Sequence, residues 1–376
     1  MSKRANGEGS LFQRKDGRWA GSAFVLTPQG TRRRVDVYGR TRGEAHEKLT
    51  ALVRKTHQGV PGSEDSRTVG AWLWHWHEHI ASPRLRPTTI QSYESNLRVH
   101  LVPGLGRYRL DRLTPAQVRS FLDGKIKGGL STRTVQYLHA ILRAALAQAM
   151  RDELITRNVA ALVTAPRVSR DEIEPFTPEQ ARTLLAACQS DRLGALYTVA
   201  LACGLRRGEA LALSWDDIDL EAGTLHVRRT VSRIKGEFVW GEPKSKRSRR
   251  SIPLPGVCVD ALRAHRVRQS AERLAVGPAW QDSGLVFTTA VGTPFEGSSL
   301  LRAFHALLES AGLPKRRLHD LRHTCATLLL VQGVPARVVM ETLGHSQIAL
   351  TLNTYSHVLP VMQRDAADLM DAALRG

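Results

Sequence analysis

The sequence predicts a mainly α-helical protein of several domains, with a small β-sheet plus helix near the N-terminus and a mixed α/β domain at the C-terminus. The chain has 376 residues, enough for two or three domains of about 100–200 residues each. Alternating apolar residues separated by turn residues mark strands within 1–60 and 224–254, whereas helical spacing fills most of the remainder. Hydrophobic residues make up 42% of the chain, a normal share for a globular protein, so these elements can bury real cores.

The first block is predicted to be a small sheet followed by a helix. Residues 19–26 and 32–38 alternate as short strands, and the turn sequence Thr27-Pro28-Gln29-Gly30 joins them. A hairpin or a three-stranded sheet is therefore expected. A helix is expected from Thr41, because apolar residues follow it at i, i+4 and i+7 spacing.

The second strand of this block begins with Arg32, Arg33 and Arg34. Small basic sheets can lie in a DNA groove, so these three arginines are candidate DNA contacts. A solvated edge strand protected by its charge explains them equally well from the residues alone.

The second block, residues 66–165, is predicted to be a small helical bundle with basic faces. A linker rich in Gly, Pro and Ser precedes it at 59–66. Thr114-Pro115-Ala116-Gln117 fits an N-cap, a proline at N1 and a glutamine at N3. Helical spacing covers 72–80, 87–100, 114–126 and 131–151.

Three histidines in the stretch HWHEH, residues 75–79, allow a metal-site hypothesis. No third-ligand motif such as HExxH accompanies them. An amphipathic helix with Trp72 and Trp76 turned inward is the favoured interpretation.

The third block, residues 172–376, is predicted to be helical with a small β insertion. Thr177-Pro178-Glu179-Gln180 is a second capping signature and opens the block. Helices are expected over 177–213 and from about 298, with strands over 224–254. The sequence thus divides into domains 1–60, 66–165 and 172–376.

The charge of the chain indicates a polyanionic partner. The formal net charge is +19 and the sequence pI is about 10.6. Such an excess is typical of nucleic-acid binding. A basic membrane-surface protein is the alternative, but the charge is spread through folded-looking sequence and not gathered in one amphipathic helix.

The compartment is expected to be the cytoplasm. The start of the sequence has no apolar h-region, and no run of about 18 apolar residues occurs. The four cysteines stand singly in apolar stretches without CxxC spacing, so they are expected to be small buried residues in a reducing compartment. They are Cys188, Cys203, Cys258 and Cys325.

Two basic motifs stand out in the third block. Residues 204–209, GLRRGE, follow an apolar run and place a charged cluster directly behind a buried helix, where it needs partners. Residues 244–250, KSKRSRR, lie between Pro243 and Pro253, and five of the seven are basic. This second motif indicates phosphate contact through Lys244, Lys246, Arg247, Arg249 and Arg250. A structural Arg–Glu pair and a solvated charge run are the simpler interpretations of the two motifs.

Two further motifs lie near the C-terminus. His319 and Arg322, in HDLRH, are three residues apart at a helix start, so they share a face that can meet an anion. Residues 343–358, LGHSQIALTLNTYSHV, place His345 just after a glycine helix cap and Tyr355 ten residues later. Taken singly, a polar first helical turn and a buried structural tyrosine would explain these motifs.

The order of these residues resembles the tyrosine recombinases, or phage-type integrases. The resemblance covers essentially the whole chain and is strongest over 177–360, where GLRRGE, HDLRHT and LGHS…TYSHV are close to family form. The layout is similar to the three-domain members carried by phages and integrative elements. The resemblance implies an arm-type DNA-binding domain at 1–60, a helical core-binding domain at 66–165 and a catalytic domain of the DNA breaking-rejoining type at 172–376.

The resemblance implies a role for each catalytic residue. Arg206 and Arg322 would clamp the phosphate, with Arg207 and His323 as neighbouring alternatives that the motif spacing disfavours. Tyr355 would attack the phosphorus to form a 3′-phosphotyrosine link. His319 and His345 would bind the phosphate, with His319 as the proton acceptor. Lys244, or else Lys246, would protonate the leaving 5′-hydroxyl, and Glu209 would support the arginine motif.

The resemblance further implies a site-specific recombinase that integrates or excises a mobile element through a Holliday junction. No cofactor and no metal are expected. The expected partners are double-stranded attachment sites, three further copies of the chain in a homotetramer on DNA, and an accessory host factor or excisionase, but no membrane. The protein would act in the bacterial cytoplasm at the nucleoid. A type IB topoisomerase and a non-catalytic DNA-binding protein remain the alternatives.

Overall fold

The computed structural model describes residues 9–26, 32–57, 67–167, 174–243 and 248–344, together with 367 and 370–375. Internal contacts divide the chain into two compact units, Met1–Ser169 and Arg170–Gly376. Within the described residues, we find no helix with the length and apolar character needed to span a bilayer.

An antiparallel three-stranded sheet lies near the N-terminus, as predicted. Its strands are β1 (Ser10–Gln13), β2 (Trp19–Leu26) and β3 (Arg32–Gly39), with β2 in the centre. Helix α1 (Arg42–His57) packs across β2 and β3. Gly39 is required at this join, because a Cβ there would lie 2.5 Å from the backbone nitrogen of Ala45.

Short helices and two wider π turns build the bundle of residues 67–167. The bounds are α2 (Val69–His75), a π turn (Trp76–Ala81), a 3-10 turn (Ser82–Arg84), α3 (Pro87–Asn96), a π turn (Leu97–Leu101), α4 (Val102–Leu105), a 3-10 turn (Leu110–Arg112), α5 (Pro115–Lys127), α6 (Thr132–Arg151) and a 3-10 turn (Val159–Leu162). The π turns interrupt the helices predicted over 72–80 and 87–100. Each of them comes just before a proline, Pro83 or Pro103, which has no N–H to continue the regular ladder.

The tryptophans of HWHEH and its surroundings point into the core of this bundle, as predicted. Trp72 and Trp76 are buried, and the indole N–H of Trp72 donates to the Ala145 carbonyl at 2.9 Å. His77 is also buried and lies 3.1 Å from the Ile90 carbonyl through Nε2. Over the described part of the chain, no three potential ligands form a group able to hold a metal ion.

The second unit places a small β region among helices, as predicted. Its helices are α7 (Pro178–Cys188), α8 (Gly194–Cys203), α9 (Arg207–Leu211), α10 (Gly256–Val276), α11 (Gly297–Ser310), α12 (Asp320–Val331) and α13 (Ala336–Leu343). Its strands are β4 (Ile218–Asp219), β5 (Thr224–Val227), β6 (Thr230–Ile234), β7 (Glu237–Gly241) and β8 (Arg250–Pro253). Strands β4, β5 and β8 form one antiparallel sheet, and β6 and β7 form a hairpin.

Helix α8 is the centre of this unit. It is apolar on every side and packs against α7, α10 and α12, as expected for a helix surrounded by others. The capping box predicted at Thr177 begins α7, with both of its hydrogen bonds formed. The four cysteines are buried, as predicted, and none of the four is paired in a disulfide.

Candidate active site

The C-terminal end of α8 contacts Arg322, one of the two arginines predicted to clamp the phosphate. The helix ends at Gly204, whose φ of 59° is left-handed, a conformation that favours glycine. The Nη1 atom of Arg322 donates to the Gly204 carbonyl at 2.7 Å. Arg322 is the third residue of α12 and is only 2% exposed. A Cβ on Gly204 would lie 2.3 Å from Cδ2 of Leu343, so the end of α13 approaches closely here.

Arg206 is the N-cap residue of α9, and its side chain reaches toward the same place. Its Nη1 donates to Oε1 of Glu209 at 2.6 Å, and its Nη2 donates to the Gly344 carbonyl at 3.2 Å. Gly344 ends α13 with a left-handed φ of 67°, in the cap role predicted for it. The Arg206 side chain is 29% exposed, so its guanidinium keeps access to solvent.

Glu209 is buried between two guanidinium groups. Its Oε2 accepts from Nη2 of Arg250 at 3.1 Å, opposite the bond to Arg206. Burial alone would raise the pKa of Glu209, but the charges of Arg250 and Arg206 outweigh this effect and hold the pKa below its usual value. The carboxylate is therefore ionised and supports the arginine motif from inside.

Arg250 lies inside the protein, which differs from the expected phosphate contact. Its side chain is only 6% exposed. Besides Glu209, it donates from Nε to the Thr342 carbonyl at 2.6 Å and from Nη1 to the Ser248 carbonyl at 3.1 Å. The physical reason is the register of β8, where Arg250 and the buried Ile252 share the inward face.

His319 lies at the N-cap of α12, one turn from Arg322. The imidazole keeps an exposed face, yet the protein packed around it lowers its pKa, and the charges of Arg322 and Arg206 act in the same direction. A carboxylate next to it stabilises the turn, because Asp320 binds Nη2 of Arg317 at 2.9 Å and accepts from the Arg317 backbone at 2.8 Å. His319 is therefore neutral at neutral pH and able to accept a proton.

The ring of His323 lies 5.0 Å from that of His319, in an edge-on arrangement. Burial, followed by the neighbouring His319, lowers the pKa of His323 to about 4. A cationic phosphate clamp at this position is therefore disfavoured, which agrees with the preference for Arg322.

The guanidinium of Arg207 lies against the start of α11. A Cβ on Gly297 would lie 3.3 Å from its Cζ atom. Arg206 instead faces Glu209 and Gly344. The geometry therefore favours Arg206 as the phosphate ligand.

The remaining predicted catalytic residues lie outside the described residues. They are Lys244, His345 and Tyr355, and the predicted DNA contacts Lys246 and Arg247 lie outside as well. Two described residues that flank these parts of the chain, Ser248 after 244–247 and Gly344 before His345, nevertheless lie close together near Arg206. The Oγ of Ser248, which follows the first segment, donates at 3.5 Å to the Gly344 carbonyl, which precedes the second. The same carbonyl accepts from Arg206.

The other predicted DNA contacts lie at the surface. Arg249 has a side chain that is 56% exposed and pairs with Glu242. Arg33 and Arg34 are exposed on β3, where Arg34 lies 3.7 Å from Asp36, whereas the Arg32 side chain lies outside the described residues.

The comparisons with known proteins support one family. The model described as the phage integrase family matches residues 174–361, and the model described as the N-terminal SAM-like domain of phage integrases matches 68–126. Over its full length the chain is 31% identical to an integrase of Saccharopolyspora erythraea, covering 98% of that protein. It is 30% identical to a XerC-like tyrosine recombinase of Caldanaerobacter subterraneus subsp. tengcongensis, over 90% of this chain and 91% of that protein.

Solved structures share the fold. The Tn1549 transposon integrase in complex with a circular intermediate DNA matches with a TM-score of 0.68 and 22% identity, over 81% of this chain and 99% of that chain. A lambda integrase tetramer bound to a Holliday junction matches with a TM-score of 0.59 and 18% identity, over 94% and 96%. The fold is thus that of the DNA integrases. The chain belongs to the phage integrase family of tyrosine recombinases, and it is a tyrosine-type site-specific DNA recombinase.

The lowered pKa of His319 gives a prediction for the pH dependence of DNA cleavage. If neutral His319 accepts a proton, cleavage should stay constant as the pH falls from about 8 to its ordinary pKa of 6.5 and decline only below that value. The decline follows protonation of the imidazole, which removes the acceptor. The measurement is the single-turnover cleavage rate against pH at saturating DNA.

The variant His319→Asn should be slow and should lose this acid limb. His323→Asn should keep it, because the pKa of His323 is already near 4. An unchanged acid limb in His319→Asn would show that another group titrates.

Proposed function

We propose that this recombinase integrates and excises a phage or other mobile element by cutting DNA at attachment sites through a 3′-phosphotyrosine link on Tyr355. One observation carries the proposal. The side chains of Arg206, His319 and Arg322 converge where α8, α12 and α13 meet. Gly344, which precedes the segment with Tyr355, accepts from Arg206 and also from Ser248, which follows the segment with Lys244.

This cluster suits a phosphodiester in displacement. Negative charge builds up on the non-bridging oxygens, and the guanidinium groups of Arg206 and Arg322 offer paired donors to them. Arg322 is fixed by burial and by the Gly204 carbonyl, so little reorganisation is needed during the reaction. His345 follows Gly344 directly and would complete the set of phosphate ligands.

The proposed step is an in-line displacement at phosphorus. The phenolic oxygen of Tyr355 forms a bond to phosphorus, and the bond between phosphorus and the 5′ oxygen breaks. His319 takes the phenolic proton, and Lys244 donates a proton to the leaving 5′ oxygen. Attack by a 5′-hydroxyl of the second DNA reverses these transfers and rejoins the strand.

The proposed partners are DNA and further copies of this chain. Double-stranded attachment sites would meet Arg32 to Arg34 in the domain 1–60 and the basic residues within 244–249 in the domain 172–376, while 66–165 would hold the core site. Lambda integrase has been seen as a tetramer on a Holliday junction, which supports a homotetramer here. An accessory factor or excisionase, and location at the nucleoid in the cytoplasm, complete the proposal.

The test is covalent capture on a nicked duplex that carries the attachment site found in DNA beside the gene. Wild-type protein should give an adduct stable to SDS, because the nicked strand fragment diffuses away and rejoining fails. Tyr355→Phe should give none, because the nucleophilic oxygen is removed while the ring is kept.

Tyr197→Phe is the matched control in the same unit. Tyr197 is buried beside Phe304, and its hydroxyl has no hydrogen-bond partner among the described residues. This variant should form adduct at the wild-type rate. An adduct that persists in Tyr355→Phe would contradict the proposed nucleophile, and relaxation of site-free supercoiled plasmid would favour a topoisomerase.

A further inference from the structure

Arg250 connects three parts of the catalytic unit that are distant in sequence. It lies on β8, at the end of the basic segment 244–250. It binds the carboxylate of Glu209 at 3.1 Å and the Thr342 carbonyl in the last turn of α13 at 2.6 Å. Glu209 and Gly344 are in turn the partners of Arg206. Arg206 and Arg250 therefore hold the same carboxylate and the same helix end.

We propose that Arg250 is a positioning residue for strand cleavage, which holds the Arg206 guanidinium and the C-terminal end of α13 in fixed relative positions. This inference rests on the proposed function. Arg250 acts through Glu209 on the orientation of the Arg206 guanidinium. It acts through Thr342 on the end of α13, from which the chain continues directly into His345.

Arg206 and Arg250 differ in how their guanidinium donors are used. Arg206 has 29% of its side chain exposed, whereas Arg250 has 6% and donates from Nε, Nη1 and Nη2 to protein groups. A phosphate could therefore bind Arg250 only if one of these hydrogen bonds opened. Arg250 is thus excluded from direct phosphate contact in this arrangement.

The charges explain why an arginine is needed at position 250. A single carboxylate beside Arg206 would neutralise the cation that the phosphate requires. With Arg250 on its other side, Glu209 is shared between two guanidinium groups, and the group of three keeps one net positive charge. Arg250 also places positive charge at the C-terminal carbonyls of α13, where cations are favourable.

The planar shape of guanidinium matters as much as its charge. Arg250 donates from three nitrogens in three directions, to Thr342, Ser248 and Glu209. A lysine ammonium could keep the bond to Glu209, but it is too compact to bridge all three partners. Arg250→Lys should therefore keep the charge and lose the link to α13.

The test compares cleavage, DNA binding and folding in Arg250→Gln, Arg250→Lys and a matched control. Arg263 supplies the control, because it also binds one carboxylate and one carbonyl, Glu221 at 3.3 Å and Leu220 at 3.4 Å, but at the exposed surface. The measurements are the adduct rate on saturating nicked attachment-site DNA, the Kd with its salt dependence, and the thermal midpoint.

For Arg250→Gln we expect adduct formation to slow by about 10–100-fold at saturating DNA, a loss similar to that of a misplaced transition-state donor. The Kd should stay within about twofold and its salt slope should not change, because no phosphate contact is lost. Arg250→Lys should slow the step less, and Arg263→Gln should leave all three quantities unchanged. The double variant tests the coupling between the two residues. In a Glu209→Gln background, Arg250→Gln should reduce the adduct rate by a smaller factor than it does in wild type, because both substitutions act on the same carboxylate.

Two results would overturn the inference. The first is a folded Arg250→Gln that cleaves at the wild-type rate. The second is a variant that loses affinity and salt dependence but keeps its rate at saturating DNA, which would make Arg250 a phosphate contact. If Arg250→Gln does not fold, either of these two results in Arg250→Lys would overturn the inference. Failure of the proposed function is distinguishable, because wild-type protein would then form no adduct on Tyr355.

Discussion

Replacing Arg322 with alanine should reduce strand cleavage by about 10³-fold or more while the protein still binds its DNA. Arg322 is almost fully buried, and the Gly204 carbonyl fixes its guanidinium at 2.7 Å. In the proposed reaction it meets charge that develops in the transition state. The loss should therefore appear in the single-turnover cleavage rate and not in the Kd for attachment-site DNA.

Arg322→Lys should recover only part of the rate, because a lysine keeps the charge but loses the paired donors of the guanidinium. Arg302→Ala is the matched control, since Arg302 lies on α11 of the same unit and binds only the Ser299 hydroxyl, at 3.0 Å, among the contacts of the described residues. Both variants must be compared below their unfolding midpoints, because removal of a buried arginine also destabilises the protein. An Arg322→Ala protein that cleaves normally, or that loses only affinity, would rule out the clamp role.

Replacing Glu209 with alanine should lower the free energy of unfolding by about 3–5 kcal/mol, because it leaves the buried charge of Arg250 without its carboxylate. Glu209 is itself buried and binds Arg250 at 3.1 Å and Arg206 at 2.6 Å. Urea unfolding with a two-state fit measures this change. Glu221→Ala, which removes an exposed partner of Arg263, should change stability by less than about 0.5 kcal/mol.

The lowered pKa of Glu209 adds a pH signature to this prediction. A carboxylate with a folded-state pKa below 4.5 contributes stability that is fully present above pH 4.5. That contribution is lost as the pH falls through the lower folded-state pKa. The stability difference between wild type and Glu209→Gln should therefore shrink in acid. A difference that stays constant down to the acid transition would show that the carboxylate charge is unimportant for folding.

Much of the fold follows from local sequence signals. The capping sequences at Thr114 and Thr177 correctly begin α5 and α7. The alternation over 19–26 and 32–38 correctly gives β2 and β3. These features are local, since caps and alternation depend on residues only a few positions apart. The two π turns were not predicted, because they depend on how a helix meets the proline that follows.

The catalytic roles of the site residues stay predictions, but their positions can be compared with the sequence motifs. The order of motifs identified Arg206, His319 and Arg322, and the structure brings these three together. The inward position of Arg250 was missed, although its place two residues before the apolar Ile252 on a strand was a usable signal. Its partners, Thr342 and Glu209, are 92 and 41 positions away, and no local pattern could have paired them with it.

The two glycine caps have a consequence for insertions and deletions. The carbonyls of Gly204 and Gly344 each end a helix and each hold one arginine of the site. Adding or removing one residue in α8 or α13 would rotate its terminal carbonyl by about 100° around the helix axis. The number of residues in α8 and in α13 is therefore fixed by the site, whereas surface loops of the same unit can vary in length. Scanning single-residue insertions through the gene should find recombination abolished in both helices and tolerated in those loops.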